Sequence, residues 1–227
     1  MVDVAIPSVR FCGAGMTEIY LVRHGQTEWN TQLIFRGRKD IPLNEMGHEE
    51  ARALAGTLKD RNIDAIYTSP LRRALETAQP IATLLALTVV PVQGFIDINY
   101  GEWEGVSHHE IKERYAHQYA QWEQRPELVQ FPQGETLDAV KERSLDAFID
   151  IARKNPARSV LIISHRVINK VLLCALLGLS NAHFWEIRQD TGCINVIEYS
   201  RERFALCAMN DTCHLRGVTD ETAQPDF

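Results

Sequence analysis

Two pairs of neighbouring imidazole and guanidinium side chains stand out in the sequence, Arg23-His24 and His165-Arg166, and each follows a short apolar run. An imidazole nitrogen can act as a nucleophile or carry a proton, and a guanidinium group binds phosphate oxygens through two parallel hydrogen bonds. Gly25 follows the first pair and, because it lacks a side chain, is expected to let the backbone approach a ligand closely. These residue types favour an anionic ligand, with phosphate as the first candidate.

Both pairs lie where predicted strands end. Residues 19–22 and 159–164 are apolar runs with the length of a buried strand, and a third segment, residues 64–68, is followed by Arg72-Arg73. The carboxyl ends of parallel strands share one edge of a sheet, so we expect the groups that follow the three strands to converge. Two arginines and two histidines around one point suit a dianionic phosphoryl group. We therefore expect a site that needs neither a metal ion nor a cofactor.

The rest of the chain alternates predicted helices with predicted strands, which indicates one α/β domain around a largely parallel sheet. The helices are predicted at residues 44–59, from Ser69-Pro70 to about 81, 107–126, 137–152 and 168–177, and the further strands at 88–92, 193–199 and 204–209.

Composition limits the classes of partner. The chain has 227 residues, 45% of them hydrophobic, and a net charge of -6, which disfavours a nucleic-acid footprint and leaves positive charge as a local feature of a pocket. No apolar run has membrane-spanning length, so no membrane partner is expected. The five cysteines are odd in number and lack a C-x-x-C pair, which is typical of a cytoplasmic protein.

The predicted organisation has three parts. Residues 1–15 form a loose N-terminal extension, residues 16–210 form a single domain with a small helical cap insertion at about 107–133, and residues 211–227 form a C-terminal tail.

Four motifs follow one another along the chain: Leu21-Val22-Arg23-His24-Gly25 with Asn30, Ser69-Pro70-Leu71-Arg72-Arg73-Ala74, Tyr100-Gly101-Glu102-Trp103-Glu104-Gly105, and Ser164-His165. In order and spacing they resemble the histidine phosphatase superfamily, which is also called phosphoglycerate mutase-like. The resemblance covers residues 17–199 and implies a three-layer α/β sandwich, a largely parallel central sheet flanked by helices.

The resemblance implies that His24 is a nucleophile that passes through a phosphohistidine. An imidazole nitrogen must be unprotonated to attack phosphorus, and adjacent guanidinium groups favour the neutral ring. A hydrogen bond from the other ring nitrogen to a carbonyl would fix the tautomer. By the same resemblance Arg23, Arg73 and His165 hold the phosphoryl oxygens, and Asn30 adds a neutral donor.

The general acid departs from the family pattern. The family usually has a glutamate four residues before the glycine of the third motif, and this position is Asp97 here. Aspartate can protonate a departing alkoxide, but we expect a partly apolar site to hold it protonated. Glu102 and Glu104 are the rival acids, with hydrogen bonding or surface solvation as their alternative role.

Two further departures add arginines. Many relatives have Gly-Gly where this chain has Arg166-Val167, and many phosphatases have Gln-Gly where it has Arg36-Gly37. Either arginine would add positive charge near the leaving group and favour a substrate with a carboxylate or second phosphate. The alternative is that each is exposed on a loop or helix start.

The segments around Cys174 and His214 resemble metal-independent phosphoserine phosphatases of this superfamily. By that resemblance His214 is a candidate lid residue over the substrate. Tyr100 stands where those enzymes carry a histidine that is thought to contact the substrate, so phosphoserine stays one candidate among several.

The leading hypothesis is a phosphomonoesterase that hydrolyses a small phosphorylated metabolite. A phosphoglycerate mutase is the second hypothesis, and a non-catalytic protein that binds a phosphorylated ligand is the third. Water access favours hydrolysis, because the predicted cap is shorter than the insertion of classical mutases. A homodimer is a family-level expectation.

Overall fold

The computed structural model describes residues 15–218. The predicted N-terminal extension lies outside the described residues apart from Gly15, and of the predicted tail only residues 211–218 are described. The division of the chain into extension, domain and tail stays a prediction.

The described chain is organised around one six-stranded mixed sheet. Its strands are β1 (Thr17–Arg23), β2 (Ile63–Thr68), β3 (Val89–Pro91), β4 (Ser159–Ser164), β5 (Ile194–Ser200) and β6 (Arg203–Asp211). The strand order is β3-β2-β4-β1-β5-β6. The four neighbouring strands β3, β2, β4 and β1 are parallel, and β5 and β6 continue the sheet in antiparallel pairing, so the largely parallel sheet that the sequence predicts is confirmed.

The central strands β1 and β4 are apolar on both faces because helices cover both sides of the sheet. Ile19 and Leu21 of β1 face one hydrophobic cluster, and Tyr20 and Val22 face the other. The helices are α1 (Glu28–Thr31), α2 (Glu45–Leu58), α3 (Arg72–Leu85), α4 (His108–Arg114), α5 (Ala116–Gln124), α6 (Leu137–Lys154) and α7 (Arg166–Leu176). Helices α2 and α3 cover the second cluster, and α6 and α7 cover the first, which gives the expected three layers.

Capping residues set several helix starts. Asn44 accepts a hydrogen bond from the Gly47 N–H and Thr136 accepts one from the Ala139 N–H, at the starts of α2 and α6. The helix predicted from residue 168 starts at Arg166 instead, directly after β4, with His165 as its N-cap. This shift brings the first turn of α7 to the sheet edge.

The predicted cap is two short helices, α4 and α5, that break at Tyr115. An isolated bridge between Ile34 and Ser107 ties its start to the loop after α1. Aromatic rings in edge-to-face contact fill the space between the cap and the sheet, with Trp122 of α5 packed on Phe131. No helix within residues 15–218 has the length and apolar character needed to cross a membrane.

Candidate active site

His24 is the first residue after β1 and is buried at the carboxyl edge of the sheet. Its backbone N–H donates to the Ser164 carbonyl oxygen 2.9 Å away, which joins the ends of β1 and β4. Its Nδ1 lies 2.7 Å from the carbonyl oxygen of Gly25, and because a carbonyl only accepts, Nδ1 carries the proton. The predicted hydrogen bond to a carbonyl is thus present, and Nε2 keeps its lone pair.

The ring of His24 is held neutral. Burial lowers its pKa well below the ordinary value, and the positive charges of Arg73 and Arg23 lower it further, while the hydrogen bond to Gly25 acts in the opposite direction. The sequence predicted this direction from the guanidinium groups, but burial is the larger cause.

Gly25 is needed for a different reason from the predicted one. A Cβ at this position would lie 2.6 Å from the Gly47 carbonyl oxygen in α2, so the close approach is to protein backbone rather than to a ligand. The Gly25 N–H donates to Thr77 Oγ1 at 3.0 Å, and Thr77 Oγ1 donates to the Arg73 carbonyl at 2.7 Å. The loop after His24 is therefore fixed against α2 and α3.

His165 lies beside His24, with the two ring centroids 5.1 Å apart. The Nε–H of Arg73 donates to His165 Nδ1 at 3.2 Å, so the ring proton lies on Nε2 and is donated to Ser69 Oγ at 2.6 Å. Burial, followed by the charge of Arg73, lowers the pKa of His165 well below its ordinary value. Sequence reasoning assigned no role to Ser69, although it stands in one of the family motifs.

Arg73 is fully buried and is held by acceptors on three sides. Its Nη1 donates to the Lys39 carbonyl at 2.9 Å, and its Nη2 donates to the Gly37 carbonyl at 2.8 Å and to Asp97 Oδ2 at 2.9 Å. The second N–H of Nη1 has no acceptor within residues 15–218, and it is the donor that Arg73 can offer to a phosphoryl oxygen.

Gly37 therefore contributes its backbone carbonyl to the site. Its carbonyl oxygen accepts from Arg73, and its backbone has a φ of +51°, which favours glycine. A Cβ here would overlap the Glu104 carboxylate. This requirement for glycine could not be predicted from residue type alone.

Asp97 lies in the site, but in ionic rather than partly apolar surroundings. Its Oδ2 is 2.9 Å from Arg73 Nη2 and 3.5 Å from His165 Nδ1, and its Oδ1 accepts from the Ile98 N–H at 2.9 Å. The expectation of a partly apolar pocket is wrong, because the carboxylate shares the arginine that also supports His165.

The two rival carboxylates have structural partners. Glu104 Oε1 accepts from the backbone N–H groups of Arg38 and Tyr100, at 2.9 and 3.2 Å. Glu102 is exposed and accepts from the Tyr115 hydroxyl at 2.7 Å and from Gln133 Nε2 at 3.0 Å. Glu102 and Glu104 therefore have the hydrogen-bonding role that was the alternative to acting as the general acid.

Arg23 and Asn30 both belong to the first family motif. Arg23 is buried and its Nη1 donates to the Gln189 carbonyl. Asn30 Oδ1 accepts from the Thr27 N–H at 3.0 Å and from Thr27 Oγ1 at 2.8 Å, which leaves the amide NH₂ as the donor that Asn30 can offer. The predicted role as a neutral donor fits this arrangement.

Arg36 and Arg166 are not exposed surface residues, so that alternative is wrong for both. Arg166 is buried, and Arg36 is half-buried with Nη1 donating to the Trp29 and Ile34 carbonyls at 3.2 and 3.5 Å. Burial and the neighbouring charge of Arg166 lower the pKa of Arg36 to about 9. Arg72, in contrast, is exposed.

Tyr100 completes this part of the site. It is buried among aromatic rings, and its hydroxyl is hydrogen-bonded to Arg166. Burial raises the pKa of Tyr100 to about 12, so the hydroxyl stays protonated.

His108 is a further residue near the arginines of the site. Sequence reasoning missed it because it was assigned to the polar cap. Its ring stacks on Phe35 with centroids 3.9 Å apart, and its Nδ1 lies 3.2 Å from the Tyr119 hydroxyl. Burial lowers the pKa of His108 to about 3, and the charges of Arg166 and Arg36 act in the same direction. The only available signal was its position at the start of the cap helix.

His214 lies in a short 3₁₀ turn, Cys213–Leu215, that packs on α2. It is hydrogen-bonded to the Gly192 carbonyl, and its buried Nε2 has no partner among the described residues. Gly192 also donates its N–H to the His24 carbonyl at 3.4 Å. His214 is thus connected to the backbone of the site, and its role as a lid residue stays a prediction.

The site as a whole combines two neutral imidazoles, one carboxylate and four arginines, which suits an anionic group that is transferred to Nε2 of His24. Within residues 15–218 no three or more His, Cys, Asp or Glu side chains are grouped so that they could hold a metal ion. The positive charge of the site comes from Arg23, Arg36, Arg73 and Arg166.

Comparison with known proteins gives consistent matches over most of the chain. The family model described as "Histidine phosphatase superfamily (branch 1)" matches residues 19–212. Phosphoserine phosphatase 1 of Hydrogenobacter thermophilus is 34% identical over 200 residues, which cover 88% of this chain and 95% of the relative. The metal-independent phosphoserine phosphatase of Arabidopsis thaliana is 29% identical and covers 89% of this chain.

Solved structures agree with these matches. YhfR of Bacillus stearothermophilus superimposes with a TM-score of 0.85 at 31% identity, over 88% of this chain and 99% of its own. A phosphoserine phosphatase mutant of Entamoeba histolytica in complex with phosphoserine superimposes with a TM-score of 0.80 at 27% identity, over the same 88% of this chain and 99% of its own.

Proposed function

We propose that this chain, which belongs to the histidine phosphatase superfamily (branch 1), is a phosphomonoesterase that transfers the phosphoryl group of a small metabolite to Nε2 of His24 and then to water. The observation that carries the assignment is the hydrogen bond from His24 Nδ1 to the Gly25 carbonyl, because it leaves Nε2 unprotonated.

In the first step the Nε2 lone pair attacks phosphorus in line with the ester oxygen, and the bond between phosphorus and that oxygen breaks. Arg23 and the remaining Nη1 donor of Arg73 bind the non-bridging oxygens, and Asn30 adds a neutral donor. Arg23 and Arg73 are buried, and all three side chains are hydrogen-bonded to the protein, so they need little rearrangement as charge shifts in the transition state.

The departing alkoxide needs a proton, and Asp97 is the acidic group beside the phosphoryl site. In the unliganded site Asp97 is paired with Arg73. A phosphate dianion next to it competes for Arg73. As the general acid of the first step, Asp97 gives its carboxyl proton to the leaving oxygen, and the resulting carboxylate accepts a proton from the water that hydrolyses the phosphohistidine.

Relatives suggest which substrates to test first. Their names specify phosphoserine phosphatases, and solved neighbours hold phosphoserine or 3-phosphoglyceric acid. We infer that a phosphorylated hydroxy acid of this size is the first substrate class for this chain.

Location and assembly are further proposals. The proposed location is cytoplasmic, as expected from the odd cysteine count without a C-x-x-C pair. Dimerisation stays a prediction from the family pattern.

The test measures phosphate release from p-nitrophenyl phosphate, phosphoserine and 3-phosphoglycerate in the presence of a chelator, for the wild type and for His24→Ala. Release by the wild type alone is the expected result. Release that survives in His24→Ala would overturn the assignment of the nucleophile. Isomerised phosphoglycerate without release would indicate a mutase, and binding without any turnover would indicate a non-catalytic protein.

A further inference from the structure

Glu50 is a fully buried acidic residue of α2 that the proposed mechanism does not use. Its Oε2 accepts from the Gln26 N–H at 2.6 Å, and its Oε1 accepts from the Thr191 hydroxyl at 2.7 Å. Burial raises the pKa of Glu50, and the hydrogen bonds from Thr191 and Gln26 act in the opposite direction. Burial of an acid is unfavourable unless hydrogen bonds compensate it, and these two donors provide that compensation.

The N–H that Glu50 binds belongs to the same peptide group as the carbonyl that holds His24. The Gly25 carbonyl oxygen lies 2.7 Å from His24 Nδ1 and accepts its proton, and the N–H of that peptide group is the Gln26 N–H. Resonance couples the two ends of a peptide group, so an acceptor on the N–H makes the carbonyl oxygen a stronger acceptor. Glu50 is therefore linked to the nucleophilic ring by two hydrogen bonds and one peptide group.

The backbone on both sides of this peptide group is also held. The Gly25 N–H donates to Thr77 Oγ1 at 3.0 Å, and the Gln26 carbonyl oxygen accepts from the Asn44 N–H at 3.1 Å. A Cβ at Gly47 would lie 2.1 Å from the Gln26 carbonyl oxygen, so the first turn of α2 is in direct contact with the loop. All four backbone hydrogen-bonding groups of Gly25 and Gln26 are thus paired.

Thr191 connects Glu50 to a second segment of the site. It precedes Gly192, whose N–H donates to the His24 carbonyl oxygen at 3.4 Å. A Cβ at Gly192 would lie 3.6 Å from the Cβ of Glu50, which is ordinary contact distance. Glu50 thus holds the segment before β5 and the loop after β1 together, and both segments are hydrogen-bonded to His24.

This link acts on the charge of the ring. When Nε2 bonds to phosphorus, the ring gains positive charge and its Nδ1–H becomes a stronger donor. A carbonyl oxygen that Glu50 has made a stronger acceptor stabilises that charge, and before the attack it keeps the proton on Nδ1.

We propose that Glu50 is a positioning residue for His24, which binds the N–H of the peptide group between Gly25 and Gln26 and so strengthens the hydrogen bond that leaves Nε2 as the nucleophile. The proposal rests on the proposed phosphomonoesterase activity and names a further residue that this activity requires. Glu50 acts through the peptide group and not on the substrate.

Two variants separate this role from packing. Glu50→Gln keeps an oxygen for the Gln26 N–H, and its amide NH₂ can donate to the Thr191 hydroxyl oxygen, which also accepts. Glu50→Met has a side chain of similar length but offers no comparable acceptor. Glu49→Gln and Glu49→Met, at the exposed neighbouring position of α2, are the controls.

The kinetic test measures kcat/KM for p-nitrophenyl phosphate and for phosphoserine, together with the inhibition constant of inorganic phosphate. Glu50→Met is expected to lower kcat/KM by about 10-fold or more on both substrates, because the nucleophile rather than the acid is affected. Glu50→Gln should lose less than about 5-fold, because it replaces a charged acceptor with a neutral one. The inhibition constant and the Glu49 variants should change little. Wild-type kcat/KM in folded Glu50→Met would overturn the proposal.

A second readout follows the protons themselves by ¹H–¹⁵N NMR. In the wild type the Gln26 amide proton and the His24 Nδ1 proton are both expected far downfield, since each lies in a short hydrogen bond. In Glu50→Gln both signals should move upfield together. A His24 Nδ1 signal that stays in place while the Gln26 signal moves would overturn the link, and so would two unmoved signals.

The NMR test requires neither turnover nor a folded Glu50→Met. Failure of the proposed function therefore looks different from failure of this proposal, because the wild type would then release no phosphate from p-nitrophenyl phosphate while the two proton signals still moved together.

Discussion

Arg73 joins the carboxylate of Asp97 to the imidazole of His165, with Nη2 2.9 Å from Asp97 Oδ2 and Nε 3.2 Å from His165 Nδ1. Since Arg73 is fully buried and also bound to two backbone carbonyls, its position is set by the protein before a substrate arrives. The acid, the arginine and the second histidine therefore act as one unit.

Asp97→Asn is expected to impair protonation of the leaving oxygen more than attack of His24 on phosphorus. Alkyl phosphates need a protonated leaving oxygen, so their kcat/KM should fall by about 100-fold or more. Because p-nitrophenyl phosphate has a stable leaving anion, its kcat/KM should fall much less. Asp97→Glu is the matched control and should keep the ratio of the two substrates close to that of the wild type. An equal loss on both substrates in Asp97→Asn would show that Asp97 only holds Arg73.

Arg143 is expected to position Asp97 through the backbone. Its Nη1 donates to the Gly94 and Ile96 carbonyls at 2.8 and 2.7 Å, and its Nη2 lies 3.2 Å from the Asp97 carbonyl. Arg143→Met should lower kcat for alkyl phosphates by about 10-fold, about 1.4 kcal/mol in activation free energy, with a smaller effect on p-nitrophenyl phosphate. Lys141→Met, at a half-buried position of the same helix where the lysine pairs with Asp138, is the control. A loss independent of the leaving group would point to a general structural role.

Gly37→Ala should be destabilising and should impair phosphate binding. The φ of +51° and the overlap of a Cβ with Glu104 predict a loss of about 1–3 kcal/mol in the free energy of unfolding, measured with urea. The displaced carbonyl of Gly37 should also raise the inhibition constant of inorganic phosphate. Gly56→Ala in α2 is the control, because its Cβ would enter open space, and it should stabilise the fold by up to about 1 kcal/mol. Equal stability of the two variants would contradict the role of Gly37.

Stability should decrease on the acid side because of the buried histidines. In His24, His165 and His108 the folded-state pKa is lowered below the ordinary value of 6.5, so below that pH the unfolded chain binds protons that the folded chain does not. The stability that the three neutral rings contribute is fully present above pH 6.5, and it is lost as the pH falls toward each folded-state pKa.

This effect can be measured by urea unfolding between about pH 7 and about pH 5. His108→Asn should reduce the slope of unfolding free energy against pH by up to about 1.4 kcal/mol per pH unit, and by less in so far as solvent reaches the ring. Gly56→Ala should shift the curve without changing its slope. A slope that is the same in the wild type and in His108→Asn would contradict the assignment of a neutral ring.

The sequence was sufficient for the fold because the central elements are determined locally. The apolar runs of β1 and β4 read as buried strands, and their parallel register places Arg23 beside Ser164, so the adjacency of His24 and His165 follows from the order of the strands. The start of α7 at the site lies two residues before the predicted one, at Arg166.

The remaining features depend on tertiary packing. Whether Arg36 and Arg166 are exposed is decided by the loop after α1 and by the aromatic rings under the cap, which lie far apart in sequence. Gly25 and Gly37 are required because of backbone and side chains brought in by α2 and by the 3₁₀ turn after Tyr100. The ionic surroundings of Asp97 depend on Arg73, which reaches it from α3.

The most direct measurement is the site of phosphorylation after rapid quenching with a good substrate. Peptide mapping of the quenched protein, with ³¹P NMR to distinguish the two ring nitrogens, should find one phosphoryl group on Nε2 of His24 in the wild type and none in His24→Ala. Phosphate on Nδ1 of His24, on His165 or on any other residue would contradict the account, since the hydrogen bond from Nδ1 to the Gly25 carbonyl leaves Nε2 as the nucleophile.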